Sequence, residues 1–231
     1  MEKITGIKAV TFDGDGTLWD FDESMRYALS MVHKELEKLD SVAAAMLNVD
    51  DMIVIRNRVA DKLLQKQILD PVTIRREAFC QTLMDIGRPD NALASHLNDV
   101  YLKHRLERPC CFDDAYPTLK ALSNTYTLGV ISNGNTRPEQ CGLTKLFKFV
   151  ILSQDYGIRK PDLGIFTIAL SKAKCLPREI LHVGDSIEED VSGAIQSGFR
   201  CVWLNRSLLT NDLTMTIDYE IKNLSQLMGV L

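Results

Sequence analysis

The sequence predicts an α/β protein: a doubly wound parallel sheet with an inserted all-helical domain. Three observations carry that prediction. A β-branched stretch near the N-terminus, Ile7-Lys8-Ala9-Val10-Thr11, runs directly into Phe12-Asp13-Gly14-Asp15-Gly16-Thr17-Leu18. Residues 23–107 carry only helix signals, with no strand-like alternation. From residue 115 onward strand and helix signals alternate, the pattern of a parallel sheet with helices on both faces.

The first stretch reads as a short buried strand. The glycines that separate and follow Asp13 and Asp15 let the backbone leave a strand sharply and approach a ligand closely. Both acids are then presented at a strand's C-terminal end, where open α/β sheets place their ligand sites. Asp-Gly is also a common turn dipeptide. Met25, Leu29, Val32, Leu36 and Leu39 recur at 4-3-4-3 spacing, one apolar face of a helix. A second amphipathic stretch covers residues 50–66, with Ile53, Val59, Leu63 and Leu64 among charges. Asp70-Pro71 opens a helix that runs to about Ile86, before Gly87; the aspartate is an N-cap candidate and proline suits the first helical position. Another helix, from about Asp90 to Glu107, carries Leu93, Leu97, Val100 and Tyr101 and is ended by Pro109.

After a helix over Tyr116–Asn124, Tyr126–Ile131 reads as a strand and ends in Ser132-Asn133-Gly134-Asn135. A short helix, the strand Phe149–Leu152 and a loop lead to Arg159-Lys160-Pro161-Asp162, which opens a helix to about Lys174. The strand Ile180–Val183 ends in Gly184-Asp185. A helix over about Glu189–Ser197, a strand over Arg200–Leu204 and a helix over about Leu224–Met228 follow. The joints fall near 19–23 and 108–114, so a core of 1–19 and 112–231 is expected around a helical domain of 20–111.

The 231 residues are 45% hydrophobic and 25% charged, an ordinary globular composition. A net charge of −4 gives no nucleic-acid footprint, and no apolar run reaches the ~18 residues of a membrane span. Met1-Glu2-Lys3-Ile4-Thr5 enters a strand without the apolar core of an export signal, so a cytoplasmic protein is expected. The six cysteines lack metal-ligand spacing and are expected as reduced thiols, the adjacent Cys110 and Cys111 included. An acidic protein that takes an anionic substrate needs local compensation, from a metal or a lysine.

Three strands thus end in polar clusters, Asp13/Asp15, Ser132/Asn133 and Asp185, and Lys160 stands just before a helix N-terminus. Parallel strands bring their C-terminal ends to one edge, so these groups converge in one crevice. The set resembles the haloacid dehalogenase-like (HAD) hydrolase superfamily, subfamily I, with a helical C1-type cap between the first and second motifs and a Rossmann-like core. Four motifs match in order: Asp13-Gly14-Asp15-Gly16-Thr17, Ile131-Ser132-Asn133-Gly134, Lys160-Pro161-Asp162, and Gly184-Asp185 through Asp190.

The resemblance implies a phosphatase acting on a small phosphorylated metabolite. Asp13, Asp185 and the backbone carbonyl of Asp15 would hold Mg²⁺, which prefers oxygen ligands. Asp13 would attack phosphorus and form an aspartyl-phosphate; Asp15 would protonate the leaving oxygen and later help deprotonate water. Ser132 and Asn133 would bind the transferring phosphoryl group, and Lys160 would neutralise developing charge and orient Asp13. Asp190 is expected as a partner behind the metal. Glu188-Glu189-Asp190 also reads as acids opening a helix, favoured by its dipole, with Glu188 the candidate for that role.

His182 reads as a packed strand histidine, and Trp19 as packing beside the first motif. Dehalogenases of the superfamily replace the second acid, so Asp15 favours phosphoryl transfer to water. A phosphomutase of the same fold and a non-catalytic binding protein are the alternatives. Flavin mononucleotide and sugar or nucleotide phosphates are the substrate leads. Arg56, Arg58, Arg75 and Arg76 could reach an anionic substrate, although helix charges commonly form solvated faces.

Overall fold

The computed structural model describes residues 3–105, 107, 111–210 and 217–231. They form two compact units: Met1–Asp20 with Cys111–Leu231, and Phe21–Cys110. The expected helix stop at Pro109 and the thiol of Cys110 lie outside the described residues.

In the first unit six strands form one sheet: β1 (Ala9–Phe12), β2 (Thr127–Ser132), β3 (Phe149–Leu152), β4 (Ile180–Gly184), β5 (Arg200–Leu204) and β6 (Tyr219–Ile221). Every neighbouring pair is parallel, in the order β3-β2-β1-β4-β5-β6. The chain winds outward from β1 to β3, returns to β4 beside β1, and winds outward again. The reversal puts a crevice at the C-terminal ends of β1 and β4.

Strand side chains alternate between faces, and both faces are buried. Val10, Phe12, Val130 and Val183 pack on one side with Leu119 and Leu122. Ala9, Ile131, Ile180 and Trp203 pack on the other with Ile165, Phe166 and Ala194. The helices that supply those contacts are α6 (Ala115–Leu122), α8 (Leu163–Ala173) and α9 (Ser192–Gln196). Two buried faces explain why the strands read as near-continuous apolar runs.

The second unit contains α1 (Phe21–Leu39), α2 (Ser41–Ala44), α3 (Val49–Leu64), α4 (Pro71–Asp85) and α5 (Asn91–Arg105). Its core gathers Met25, Leu29, Val32 and Leu36 of α1 with Phe79, Leu83, Leu97 and Tyr101. Leu39 does not join that face; it ends the helix 55% exposed. Helix starts follow the cap chemistry. Asn48 and Asp51 form a reciprocal capping box on α3. Asp70 accepts from the backbone of Val72 and Thr73 at 3.2 and 2.9 Å, and Asp90 from that of Ala92 and Leu93.

Three short pieces differ from the sequence reading. A single helical turn, α7 (Ser153–Tyr156), replaces part of the expected loop. β6 extends the sheet where no strand is expected. The last helix is a 3₁₀ turn, Leu224–Gln226, continued by α10 (Leu227–Val230). α7 and β6 are four and three residues long, and the last helix divides into turns of three and four, all too short for a periodic pattern.

Candidate active site

Asp13 directly follows β1, and its backbone N–H donates to the Val183 carbonyl of β4 at 2.9 Å. The chain then turns back: the Gly14 carbonyl accepts from Thr17, Leu18 and Trp19. Gly16 has φ +81°, and a side chain there would collide with the Asp185 carboxylate. Glycine therefore serves two needs here, a left-handed backbone and close approach to the end of β4. Thr17 Oγ1 donates to Asp185 Oδ1 at 3.1 Å, and the Trp203 indole donates to the Asp185 carbonyl at 2.9 Å.

Lys160 is buried, and its ammonium donates to Asp13 Oδ1 and Asp190 Oδ1, each at 2.5 Å. Its backbone is held by Asn133, which accepts from the Lys160 N–H at 2.8 Å and donates to the Lys160 carbonyl at 3.0 Å. The Lys160–Pro161 peptide is cis. Asp162 caps α8 by accepting from the Gly164 N–H at 2.7 Å, so this segment both opens a helix and delivers the lysine. Asn133 also donates to Glu189 Oε2 at 2.7 Å, and Arg159 pairs with Glu189 Oε1 at 2.6 Å. Ser132 is fully buried at the end of β2, where its Oγ accepts from the Gly134 N–H at 3.0 Å.

Asp190 follows β4 on a π-helical turn, Ile187–Val191. The cap of that turn is Ser186, whose side chain accepts from the Glu189 N–H at 3.1 Å; Glu188 is exposed instead. Asp190 is buried among donors: Lys160, the Ser186 N–H at 3.1 Å and His182 Nε2 at 3.0 Å. The other ring nitrogen of His182 meets Thr11 Oγ1 at 2.9 Å. His182 is indeed packed inside the strand, and it braces Asp190 as well.

One oxygen each from Asp13, Asp185 and Asp190 lie within 4.8 Å of one another. Among described residues this is the one such cluster. Like charges buried this closely shift their protonation. Burial first, then the charges of Asp190 and Asp185, push Asp13 well above the usual carboxylate range, against the pull of Lys160. Burial and Asp190 push Asp185 up to about 6. For Asp190 burial also works upward, but Lys160 and His182 outweigh it and hold it well below its ordinary value. Burial alone would lower Lys160, yet Asp13 and Asp190 outweigh it and hold the ammonium charged. Burial lowers His182, against the charge of Asp190.

Asp15 stands half-buried beyond Asp13, held by the Trp19 indole N–H at 2.5 Å from its Oδ1. Asp13, Lys160, Asp185 and Asp190 therefore meet at one edge, while Ser132 and Asn133 brace the adjoining loops. Sequence reasoning missed the hydrogen bonds of Thr17, Trp19, Trp203 and His182. Each is a polar group on an otherwise apolar or turn segment, and nothing local marks its partner.

A family model described as haloacid dehalogenase-like hydrolase matches residues 7–198. The chain is 30% identical over 93% of its length, and 90% of the relative's, to the Escherichia coli protein named 5-amino-6-(5-phospho-D-ribitylamino)uracil phosphatase YigB. It is 28% identical over 96% of its length, and all of the relative's, to the glyceraldehyde 3-phosphate phosphatase of Methanothermobacter thermautotrophicus. Among solved structures, that of a 2-haloacid dehalogenase from Pseudomonas syringae superposes with a TM-score of 0.78 at 35% identity, covering 97% of each chain. The family match takes in β1 through β4 and every carboxylate of the site, and the chain belongs to the haloacid dehalogenase-like hydrolases.

Proposed function

We propose that this phosphatase hydrolyses small phosphomonoesters through an aspartyl-phosphate on Asp13, with Mg²⁺ as its cofactor. The observation that carries the reading is the meeting of Asp13, Lys160, Asp185 and Asp190 at one sheet edge, with Asp15 two residues beyond the nucleophile. Three carboxylates face one ammonium, so the cluster is short of positive charge. That deficit, together with an all-oxygen donor set, fits a hard divalent cation. Asp13, Asp185 and the Asp15 carbonyl would hold it, with Asp190 behind them because Lys160, His182 and Ser186 already engage its oxygens. When bound, the cation supplies Lewis-acid polarisation of the phosphoryl oxygens.

The chain's own groups carry the remaining steps. Asp13 attacks phosphorus in line and expels the alkoxide, splitting one hard displacement into two. Lys160, fixed by Asn133 and Asp190, orients the attacking carboxylate and offsets charge as it develops. Asp15 gives its proton to the leaving oxygen, then takes one from the water that hydrolyses the acyl phosphate. The Trp19 indole holds Asp15 in place for both transfers. Ser132 and Asn133 would bind the phosphoryl oxygens, Ser132 through its hydroxyl and Asn133 through its backbone N–H. The names of the curated relatives, phosphatases of small phosphorylated compounds, support this substrate class.

A second reading, halide displacement from a 2-haloacid, draws on the 35%-identical dehalogenase structure. Halide leaves without a proton, so Asp15 would have no task there. The test is a panel of phosphomonoesters, flavin mononucleotide included, and 2-chloropropionate, each with Mg²⁺ and with excess chelator. Metal-dependent phosphate release without chloride release is the expected result. Chloride release with inert phosphoesters would overturn the proposal in favour of the second reading.

A further inference from the structure

Thr11 and His182 are register partners on β1 and β4. They follow Ala9 and Ile180 by two residues, on the face of the sheet that Ile165, Phe166 and Ala169 cover. Both are fully buried. Two polar side chains in an apolar layer lose their hydration and must find partners inside it. Those partners form one line. Thr11 Oγ1 lies 2.9 Å from His182 Nδ1, and His182 Nε2 lies 3.0 Å from Asp190 Oδ1. The same Asp190 oxygen accepts from the Lys160 ammonium at 2.5 Å, and that ammonium also donates to Asp13 Oδ1.

The line has a direction. An ionised Asp190 can only accept, so His182 Nε2 carries the proton that faces it. Nδ1 is left to Thr11. The Thr11 hydroxyl has one proton and two acceptors in reach, Nδ1 at 2.9 Å and the Leu181 carbonyl at 3.4 Å. The nearer takes it, which leaves the ring neutral; burial, which disfavours a charged imidazole, agrees. Phe166 packs edge-on against the ring, with centroids 5.5 Å apart at 87°. Asp190 is confined in turn. Its Oδ2 accepts from the Ser186 N–H, and its carboxyl carbon lies against Gly184, where a side chain would collide with it.

A neutral imidazole gives Asp190 a fixed dipole rather than a second full positive charge. Lys160 then does not compete with an imidazolium for Asp190, and its ammonium stays shared between Asp190 and Asp13. We propose that Thr11 and His182 are positioning residues: Thr11 sets the tautomer of His182, His182 fixes Asp190, and Asp190 fixes the Lys160 ammonium beside Asp13. The effect on rate rests on the proposed phosphatase reading; the placing of the ammonium does not.

The intact, metal-free chain, labelled with ¹⁵N, is examined first. His182 should be protonated at Nε2 and bare at Nδ1. Thr11→Val removes the hydroxyl and keeps the side-chain shape. It should move the Lys160 Nζ resonance, and Thr11→Ser should return it. With Mg²⁺ and the phosphomonoester turned over fastest, Thr11→Val should lower kcat about tenfold at unchanged KM, with Thr11→Ser regaining most of it. Should Thr11→Val fail to fold, His182→Leu and His182→Gln give the same test, because the glutamine amide replaces the Nε2 donor. A proton on Nδ1 with Nε2 bare overturns the proposal. So does an unmoved Lys160 resonance in folded Thr11→Val, and so does a moved resonance with unchanged kcat. A Lys160 resonance that moves in Thr11→Val and returns in Thr11→Ser, in a chain that hydrolyses no phosphomonoester, would sink the phosphatase reading and leave the placing of the ammonium standing.

Discussion

In the helical unit, ion pairs lie on the outside: Arg26–Asp50 leaves its side chains 57% and 75% exposed, while apolar side chains such as Leu36, Phe79 and Leu97 cluster beneath. At the edge of the sheet the reverse holds. Lys160, Asp13, Asp190 and His182 are all buried, and their charges meet inside the protein. Exposed pairs contribute ~0–1 kcal/mol and are dispensable. A buried network is different: losing one member strands the others without solvation. The helical unit is therefore built for stability, whereas the sheet edge spends stability to hold charge where chemistry needs it.

The contrast is sharpest at Asp13. Asp13→Asn is expected to cut phosphate release by at least ~10³-fold while leaving thermal stability equal or higher, since it removes a buried like charge. Residual turnover near wild type would contradict the nucleophile. Lys160→Met removes the cation between two buried carboxylates, and ~3–5 kcal/mol of stability should go with it, along with ~10²-fold or more in turnover. Urea denaturation and steady-state kinetics on the same preparation separate the two effects. In the helical unit the large loss comes instead from packing: Leu97, fully buried in that core, should cost ~2–5 kcal/mol on truncation to alanine.

A smaller effect follows from protonation. Asp185 must ionise to hold a cation, and its pKa stands at about 6 in the metal-free site. Below that value protons compete, so apparent Mg²⁺ affinity should fall as pH drops through it. Calorimetric titration at several pH values reads this directly, and a flat profile would place the cation elsewhere. The sign reverses for the metal-free fold: because Asp185 is raised from 3.8, its contribution to stability declines as pH climbs between those two values. Smallest of all, Asp70→Ala should cost ~1 kcal/mol by uncapping α4, visible as a modest shift in melting temperature.

The same contrast governs what the sequence made readable. Strands buried on two faces announce themselves as apolar runs, and α4 was marked at its start by Asp70-Pro71 and near its end by Gly87. Motifs at strand ends put Asp13, Ser132 and Asp185 along the sheet edge, because parallel topology leaves them nowhere else to go; Lys160 is read instead from its place just before the N-terminus of α8. What stayed hidden was pairing at long range. Nothing in Leu181-His182-Val183 says that its imidazole links Thr11 to Asp190, and nothing around Trp19 says that its indole holds Asp15. Those contacts depend on register between strands far apart in sequence. β6 was hidden for another reason: Tyr219–Ile221 is too short to alternate.

The central position of β1 also bears on the order of folding. β1 leaves the ribosome before its partners β2 and β4; Thr11 and His182, side by side in the sheet, are 171 residues apart in the chain. Ladders with such separations form slowly, because a long loop must close before any bond in them is made. The helical unit is contiguous, so its core can close while β4 is still being synthesised. β1, which leads into Asp13, thus keeps one edge open until β4 has been made. A chain stalled before residue 180 would expose a β-branched, edge-like segment beside an already folded bundle, and that intermediate is where aggregation would begin.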